Sequence, residues 1–231
     1  MNLAVRSREP EQMDADDLPP DILAQVLADL GQVNSLTLAR RPTIAFLRRA
    51  LRGRRSFRLL DVGFGEGDML RAIARWADRH DIDAELVGID LNPNSAPAAT
   101  AATPPDMPIA YRTGDYADLA GRGFDLIVSS LVAHHMTDMQ LVAFLRFMEA
   151  EARLGWMVND IHRHRLAYFG YPILARLMRW HRIVREDGTL SIARGFRPAE
   201  WPPLLAQAAI PANAARVVRR FPFRLCVERL R

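Results

Sequence analysis

The sequence predicts an α/β protein built on a mostly parallel sheet with helices on both faces. Three observations point there. From about residue 57, short apolar runs alternate with segments of helical spacing. Several runs, such as FDLIVSSLV (124–132), are apolar at successive positions, as strands covered on both faces must be. The first run ends in a glycine-rich turn directly before a helical segment, in LLDVGFGEGDML, the kind of junction where open α/β sheets collect ligands.

The elements follow in order. Residues 1–19 are polar and acidic, and a mobile N-terminus is expected there. Residues 20–54 read as an N-terminal helical cap. After Pro19-Pro20, Ile22, Leu23, Val26, Leu27 and Leu30 share one helical face, with Gly31 as the stop. A second helix, from about Thr43 to Leu51, carries Ile44, Phe46, Leu47 and Ala50. The main domain is expected over 55–231. Its strands are FRLLDVG, ELVGID (85–90), MPIAYR (107–112), FDLIVSSLV and LGWMVNDI (154–161). Helices are expected at DMLRAIARWADRH and DMQLVAFLRFMEAEAR. ARVVRRF and FRLCVERL flank Pro222 as two final strands, after a helix begun by Pro198. Between the fifth and sixth strands lie more than fifty residues, beyond what a crossover needs. The surplus, about 162–196, is expected to hold a lid helix with Leu166, Phe169, Ile173, Leu177 and His181 on one stripe. Tyr168, Phe169, Tyr171 and Trp180 are its aromatic candidates.

Composition narrows the chemistry. With 49% hydrophobic and 25% charged residues in 231, the chain can build a globular core and is not of a disordered class. The 31 basic residues are all arginine. Without lysine there is no Schiff base, no P-loop and no kinase-type strand lysine. A single cysteine, Cys226, rules out an internal disulfide and cysteine-cluster metal sites. It also suits a reducing compartment, and the N-terminus lacks the apolar core of a secretion signal, so a cytoplasmic location is expected. No run approaches the ~18 apolar residues of a membrane span. The net charge of +4 makes only a weak case for polyanion binding.

The glycine-rich turn discriminates further. Gly63, Gly65 and Gly67 are spaced G-x-G-x-G, unlike the G-x-G-x-x-G dinucleotide fingerprint. Asp68 places a carboxylate at the helix N-terminus, where a pyrophosphate would be repelled. Asp61, two residues before the first glycine, suits a positively charged ligand. Asp90, at the tip of the second strand, can accept hydrogen bonds from ribose hydroxyls. Asp115, in RTGDYADL, can accept from an exocyclic amine, and Tyr116 offers a flat face for a purine. The implied ligand is a nucleoside with a cationic tail and no phosphate.

These pieces resemble the class I S-adenosylmethionine-dependent methyltransferases. LLDVGFGEG (59–67), LVGIDLNP (86–93), TGDYADL (113–119) and FDLIVSSLVAHHM (124–136) stand in that family's order and at its distances. The resemblance covers roughly residues 55–160. It implies a Rossmann-like sheet of seven strands with the last antiparallel, and S-adenosyl-L-methionine as cofactor. It implies that the region of Asp61, Gly63 and Gly65 holds the methionine part, Asp90 the ribose, Leu91 the adenine face and Asp115 the adenine amine. Phe64, Gly67, Tyr116 and Ser130 complete the expected cofactor-binding set.

Methyl transfer from a sulfonium is an in-line displacement; a hydroxyl acceptor also needs a general base. His134 and His135, just past the fourth strand, are the catalytic candidates. Adjacent residues point different ways, so at most one is expected to face the pocket. Asn159 and Asp160 end the fifth strand, with Asp160 open to helix capping or a pocket role, and His162 and His164 follow. A metal could be held by such a set, but its spacing is not specific and none is expected. The place of a base-methylating D/N-P-P-Y/F/W motif reads SSLV, so no nucleic-acid acceptor is expected. The aromatic insertion favours a small, apolar or aromatic acceptor, phenolic or lipid-like, methylated at a hydroxyl, with carbon or nitrogen methylation as the alternative. A non-catalytic partner protein of the same fold is the other alternative. VNDIHRHRLAYFGYP is also similar to bacterial methyltransferases of phenolic or polyketide secondary metabolism. The stripe of the insertion helix would equally serve a homodimer face or a membrane-surface contact without stable insertion.

Overall fold

The computed structural model describes residues 3–14 and 19–231. Residues 1, 2 and 15–18 of the expected mobile N-terminus lie outside the described residues, as does the side chain of Leu23. Seven strands form one sheet: β1 (Ser56–Val62), β2 (Asp83–Asp90), β3 (Ile109–Thr113), β4 (Leu126–Ser130), β5 (Gly155–Ile161), β6 (Ala215–Arg220) and β7 (Arg224–Leu230). Their order is β3-β2-β1-β4-β5-β7-β6. Strands β1 to β5 pair in parallel. Strand β7 runs antiparallel between β5 and β6, which gives the expected mostly parallel sheet with its last strand reversed.

The doubly apolar strands separate two layers. On one face Leu60, Val62, Ile127 and Val158 pack with Phe144, Leu145, Trp156 and Trp201, the helical partners being α5 (Asp138–Glu151) and α8 (Trp201–Gln207). On the other, Leu59, Leu126, Val128 and Met157 pack with Phe46, Leu47, Leu70, Ile73 and Trp76 from α2 (Arg40–Ala50) and α3 (Asp68–Asp78). Alternate residues of one strand thus serve opposite cores, as the strand period of two requires. A capping box opens α5: Gln140 N donates to Thr137 Oγ1 (3.3 Å), and Thr137 N donates to Gln140 Oε1 (2.9 Å).

Helix α2 starts at Arg40, three residues before the expected Thr43, and two further helices differ from the sequence reading. Helix α1 (Pro20–Leu36) runs through Gly31 instead of stopping there. Leu30 and Val33, either side of the glycine, both pack on a third cluster of Val26, Ala175, Trp180, Ile183 and Val184, and that packing outweighs the ~1 kcal/mol a helical glycine costs. The insertion is also two helices rather than one. Helix α6 (Arg165–Leu177) ends before Arg179, whose φ is +57°. His181 is then not on the stripe; its ring accepts from Ile183 N (3.3 Å) and caps α7 (Arg182–Arg194). A short helix, α4 (Ser95–Ala101), follows β2.

Candidate functional site

The chain turns out of β1 at Gly63, whose φ of +74° suits glycine and whose added Cβ would lie 2.3 Å from Val132 Cγ2. Gly63 N donates to Ile89 O (2.8 Å). Gly65, with φ +54°, has open space where a Cβ would stand. Gly67, with φ +77°, is the N-cap of α3. The acid of that first turn, Asp68, is held by Arg40 Nε of α2 at 3.1 Å. The turn is therefore a bare backbone edge at the carboxyl ends of β1 and β4, where the strand order reverses, the position α/β folds use for ligands.

Asp61 lies beneath this turn, 1% exposed, and its Oδ1 has no hydrogen-bond partner. Burial, then the charges of Asp68 and Asp90, pushes its carboxyl up to about 8. Asp90, at the end of β2, accepts from Gly65 N (2.8 Å) and from Asn92 N (2.9 Å), so it already pins the turn. Leu91 beside it is largely exposed. Asp115 follows β3 and accepts from Ala117 N (2.9 Å), capping the turn at 116–119. The half-buried Tyr116 ring packs on Phe144 and Phe147 of α5, both at 4.9 Å and tilted. Phe64 is buried against Tyr111 (4.9 Å). Ser130 ends β4 in register with Asn159. All these positions fall along the carboxyl edge of the sheet.

The histidine pair follows β4 in a 3-10 turn, Ala133–His135. His134 is 3% exposed. Its Nδ1 lies 2.7 Å from Asp160 Oδ1, and its backbone N donates to Asp160 Oδ2 (2.9 Å). Asp160 also accepts from Ile161 N (2.6 Å). Burial pushes this carboxyl upward, but the imidazole charge and these donated hydrogen bonds outweigh it and hold Asp160 below the usual range. Of the two roles open to Asp160, the structure gives it the contact with His134; the cap of α6 is His164, which accepts from Leu166 N (3.2 Å). His162 lies apart from the pair, and burial, then Arg219 and His164, lowers its imidazole to about 4.

Sequence reasoning does not find Glu11, because its partners are more than 120 residues away. The polar segment 3–13 lies across the site: Arg6 donates to Met136 O (2.6 Å), Ser7 N to Ala193 O (3.0 Å) and Met13 N to Asp187 Oδ2 (2.8 Å). It carries the buried Glu11 to 3.7 Å from His134 Nε2 and 3.9 Å from His135 Nε2. The tight turn thus brings both imidazoles to one carboxylate. Their rings are 4.2 Å apart. Arg194 of α7 stands 3.5 Å from the same Glu11 oxygen and donates from Nε to His134 O (3.2 Å). Among the described residues, Glu11, His134 and His135 are close enough to share a cation, but a guanidinium adjoins the carboxylate.

Residues 59–153 match the family described as methyltransferase domain. A ubiquinone biosynthesis O-methyltransferase of Azorhizobium caulinodans is 34% identical over 114 residues, 48% of this chain and 40% of that protein. The chain thus spans well under half the length of the curated relative it matches. Among solved structures, a plantazolicin methyltransferase in complex with SAH aligns over 94% of this chain and 92% of its own, with TM-score 0.66 and 12% identity. A magnesium protoporphyrin IX methyltransferase from Synechocystis PCC 6803 with bound SAH aligns over 95% and 91%, with TM-score 0.54 and 14% identity. These likenesses show that the fold is shared.

Proposed function

We propose that this chain, which carries a methyltransferase domain over residues 59–153, transfers a methyl group from S-adenosyl-L-methionine to a hydroxyl of a small, apolar or aromatic acceptor. The observation that carries the reading is the buried His134–Asp160 pair at the carboxyl edge of β4 and β5, beside the glycine turn. The residues present fit the cofactor: an unpartnered oxygen on the buried Asp61 suits its cationic tail, and the open space at Gly65 leaves room for it against bare backbone. Asp61, Gly63 and Gly65 would hold the methionine end, and Asp90, Leu91 and Asp115 the nucleoside. When bound, the cofactor supplies an activated methyl on a sulfonium.

The chain's own residues supply the rest. Asp160 accepts the Nδ1 proton of His134 and so leaves Nε2 as the basic nitrogen. Nε2 removes the acceptor's hydroxyl proton, and Asp160 stabilises the imidazolium that results. Arg194 fixes the backbone of His134 and offsets the charge of Glu11. The segment bearing Glu11 covers Nε2, so it must shift for a hydroxyl to approach.

His134→Ala should lower turnover on a cognate hydroxyl acceptor by more than tenfold with cofactor affinity nearly unchanged, and His135→Ala should cost less. Equal, small losses would remove the base from the account. A second reading, methylation of an amine, gains from a structural neighbour at 19% identity and TM-score 0.58, N,N-8-amino-8-demethyl-D-riboflavin dimethyltransferase from Streptomyces davawensis. An amine acceptor would leave His134→Ala near full activity.

A further inference from the structure

The insertion helix α6 presents an apolar face that this chain does not cover. Leu166, Phe169, Ile173 and Leu177, spaced three, four and four residues apart, are 69%, 67%, 69% and 77% exposed. Its opposite side buries Ala167 and Ala175, and Ala175 joins the cluster with Trp180, Ile183 and Val184. The helix therefore docks by Ala167, Tyr171, Leu174 and Ala175 and turns the four large apolar residues of the stripe outward. Isolated exposed apolar side chains are ordinary, but a continuous stripe on one helix marks a contact surface.

The charges along α6 and the link that follows it are of one sign, the next acid in sequence being Glu186, 3.5 Å from Arg182. From Arg163 to Arg185 the chain has six arginines and no acidic residue. Arg165, Arg176, Arg179 and Arg182 are exposed. A second element adds to the same face. The β6–β7 turn, RRFPFR (219–224), exposes Phe221 at 83% and also exposes Arg219. Phe223 of that turn stacks on His164 at 5.2 Å, the residue that caps α6. Two independent elements thus bring exposed apolar side chains, flanked by arginines, to one region.

We infer that α6 and the β6–β7 turn dock the protein on an anionic phospholipid surface, with Leu166, Phe169, Ile173 and Leu177 entering the headgroup boundary. An apolar stripe beside arginines is the pattern of interfacial helices, which take up buried apolar area and anionic headgroups together. A second copy of the chain fits less well. Four side chains on one helix fall far short of the 20–30 residues a side in a stable interface of ~1,600 Å², and a symmetric pairing would set arginines against arginines. Among the described residues no helix is long and apolar enough to cross a membrane, so the contact is peripheral. The inference holds whether or not the chain transfers methyl groups.

Vesicle co-sedimentation of the full chain tests it, with pure phosphatidylcholine against a 70:30 mixture of phosphatidylcholine and phosphatidylglycerol. Binding to the anionic vesicles should be at least tenfold tighter and should weaken severalfold when salt is raised to ~0.5 M, where screening is short-ranged. Ile173→Asp with Leu177→Asp should abolish binding, with an unchanged circular dichroism spectrum and melting temperature because both residues are exposed. Arg176→Gln with Arg179→Gln should reduce the anionic preference while leaving the fold intact. Absence of binding to either vesicle, equal binding to both, or binding retained by the aspartate variant would overturn the inference. So would a stable dimer by light scattering that the aspartate variant dissociates, since the stripe would then serve self-association.

Discussion

Asp61 and Asp160 are both fully buried carboxylates, yet their surroundings drive them in opposite directions. Asp160 accepts from two backbone amides and an imidazole and is held low. Asp61 has an oxygen with no donor and two acids nearby, and is pushed up to about 8. A folded-state value above the unfolded one means that the protonated acid contributes stability below pH ~4 that is lost as pH rises through about 8. A cation placed beside Asp61 requires its anion, so ligand uptake near pH 7 must expel a proton. Affinity for S-adenosylmethionine should therefore rise between pH ~6 and 8, by up to tenfold per unit, and Asp61→Asn should flatten that slope. Calorimetry in buffers of different ionisation enthalpy would show the released proton; a buffer-independent enthalpy would contradict it. Asp160→Asn keeps the shape of the side chain but lets the imidazole adopt the other tautomer. Its expected cost is 10-fold or more in kcat with little change in cofactor affinity. A KM-only effect would make Asp160 a purely structural partner.

At the level of elements, the glycines separate by what a methyl group would meet. Gly63→Ala combines a left-handed backbone with a contact 2.3 Å from Val132. It should destabilise the fold by about 1–3 kcal/mol, readable as a lower melting temperature. Gly31 is the opposite case. It sits inside α1 with a helical backbone, and an added Cβ would meet only Glu66 Oε2 at an ordinary 3.6 Å. Gly31→Ala should raise stability by roughly 0.5–1 kcal/mol, about 1–4 °C for a chain of this size. The reading of Gly31 as a helix stop failed because local propensity was outweighed by the cluster around Val26 and Trp180. The reading of one lid helix failed for a similar reason. The period continues through residues 165–181, but Arg179 takes a left-handed conformation while Trp180 turns into the core, and no local pattern announces that. Strands were far more legible. Seven apolar runs gave seven strands within two or three residues, since a sheet covered on both faces leaves few polar positions to blur its edges.

Across the whole molecule, what was readable is what is encoded locally: the strand–turn–helix of the glycine motif, the acids at strand tips and the histidines after β4. What was not readable depends on distant segments meeting. Glu11 reaches His134 and His135 from the far N-terminus, and Arg194 reaches Glu11 and His134 from α7. A polar N-terminal stretch carries no sign of such a destination. Glu11→Ala should loosen the segment over His134; on the proposed function it should lower KM for a bulky acceptor more than it changes cofactor affinity. Steady-state kinetics with acceptors of graded size would reveal a uniform effect if the segment is not a cover.

On the proposed function, the turn between β1 and α3 serves a cationic nucleoside. Titration calorimetry of the folded full chain with S-adenosylmethionine tests this directly. One site per chain is expected, with affinity at least tenfold weaker in Asp61→Asn or Asp90→Ala. Absence of binding by protein with a normal melting transition, or unaltered affinity in both variants, would contradict it.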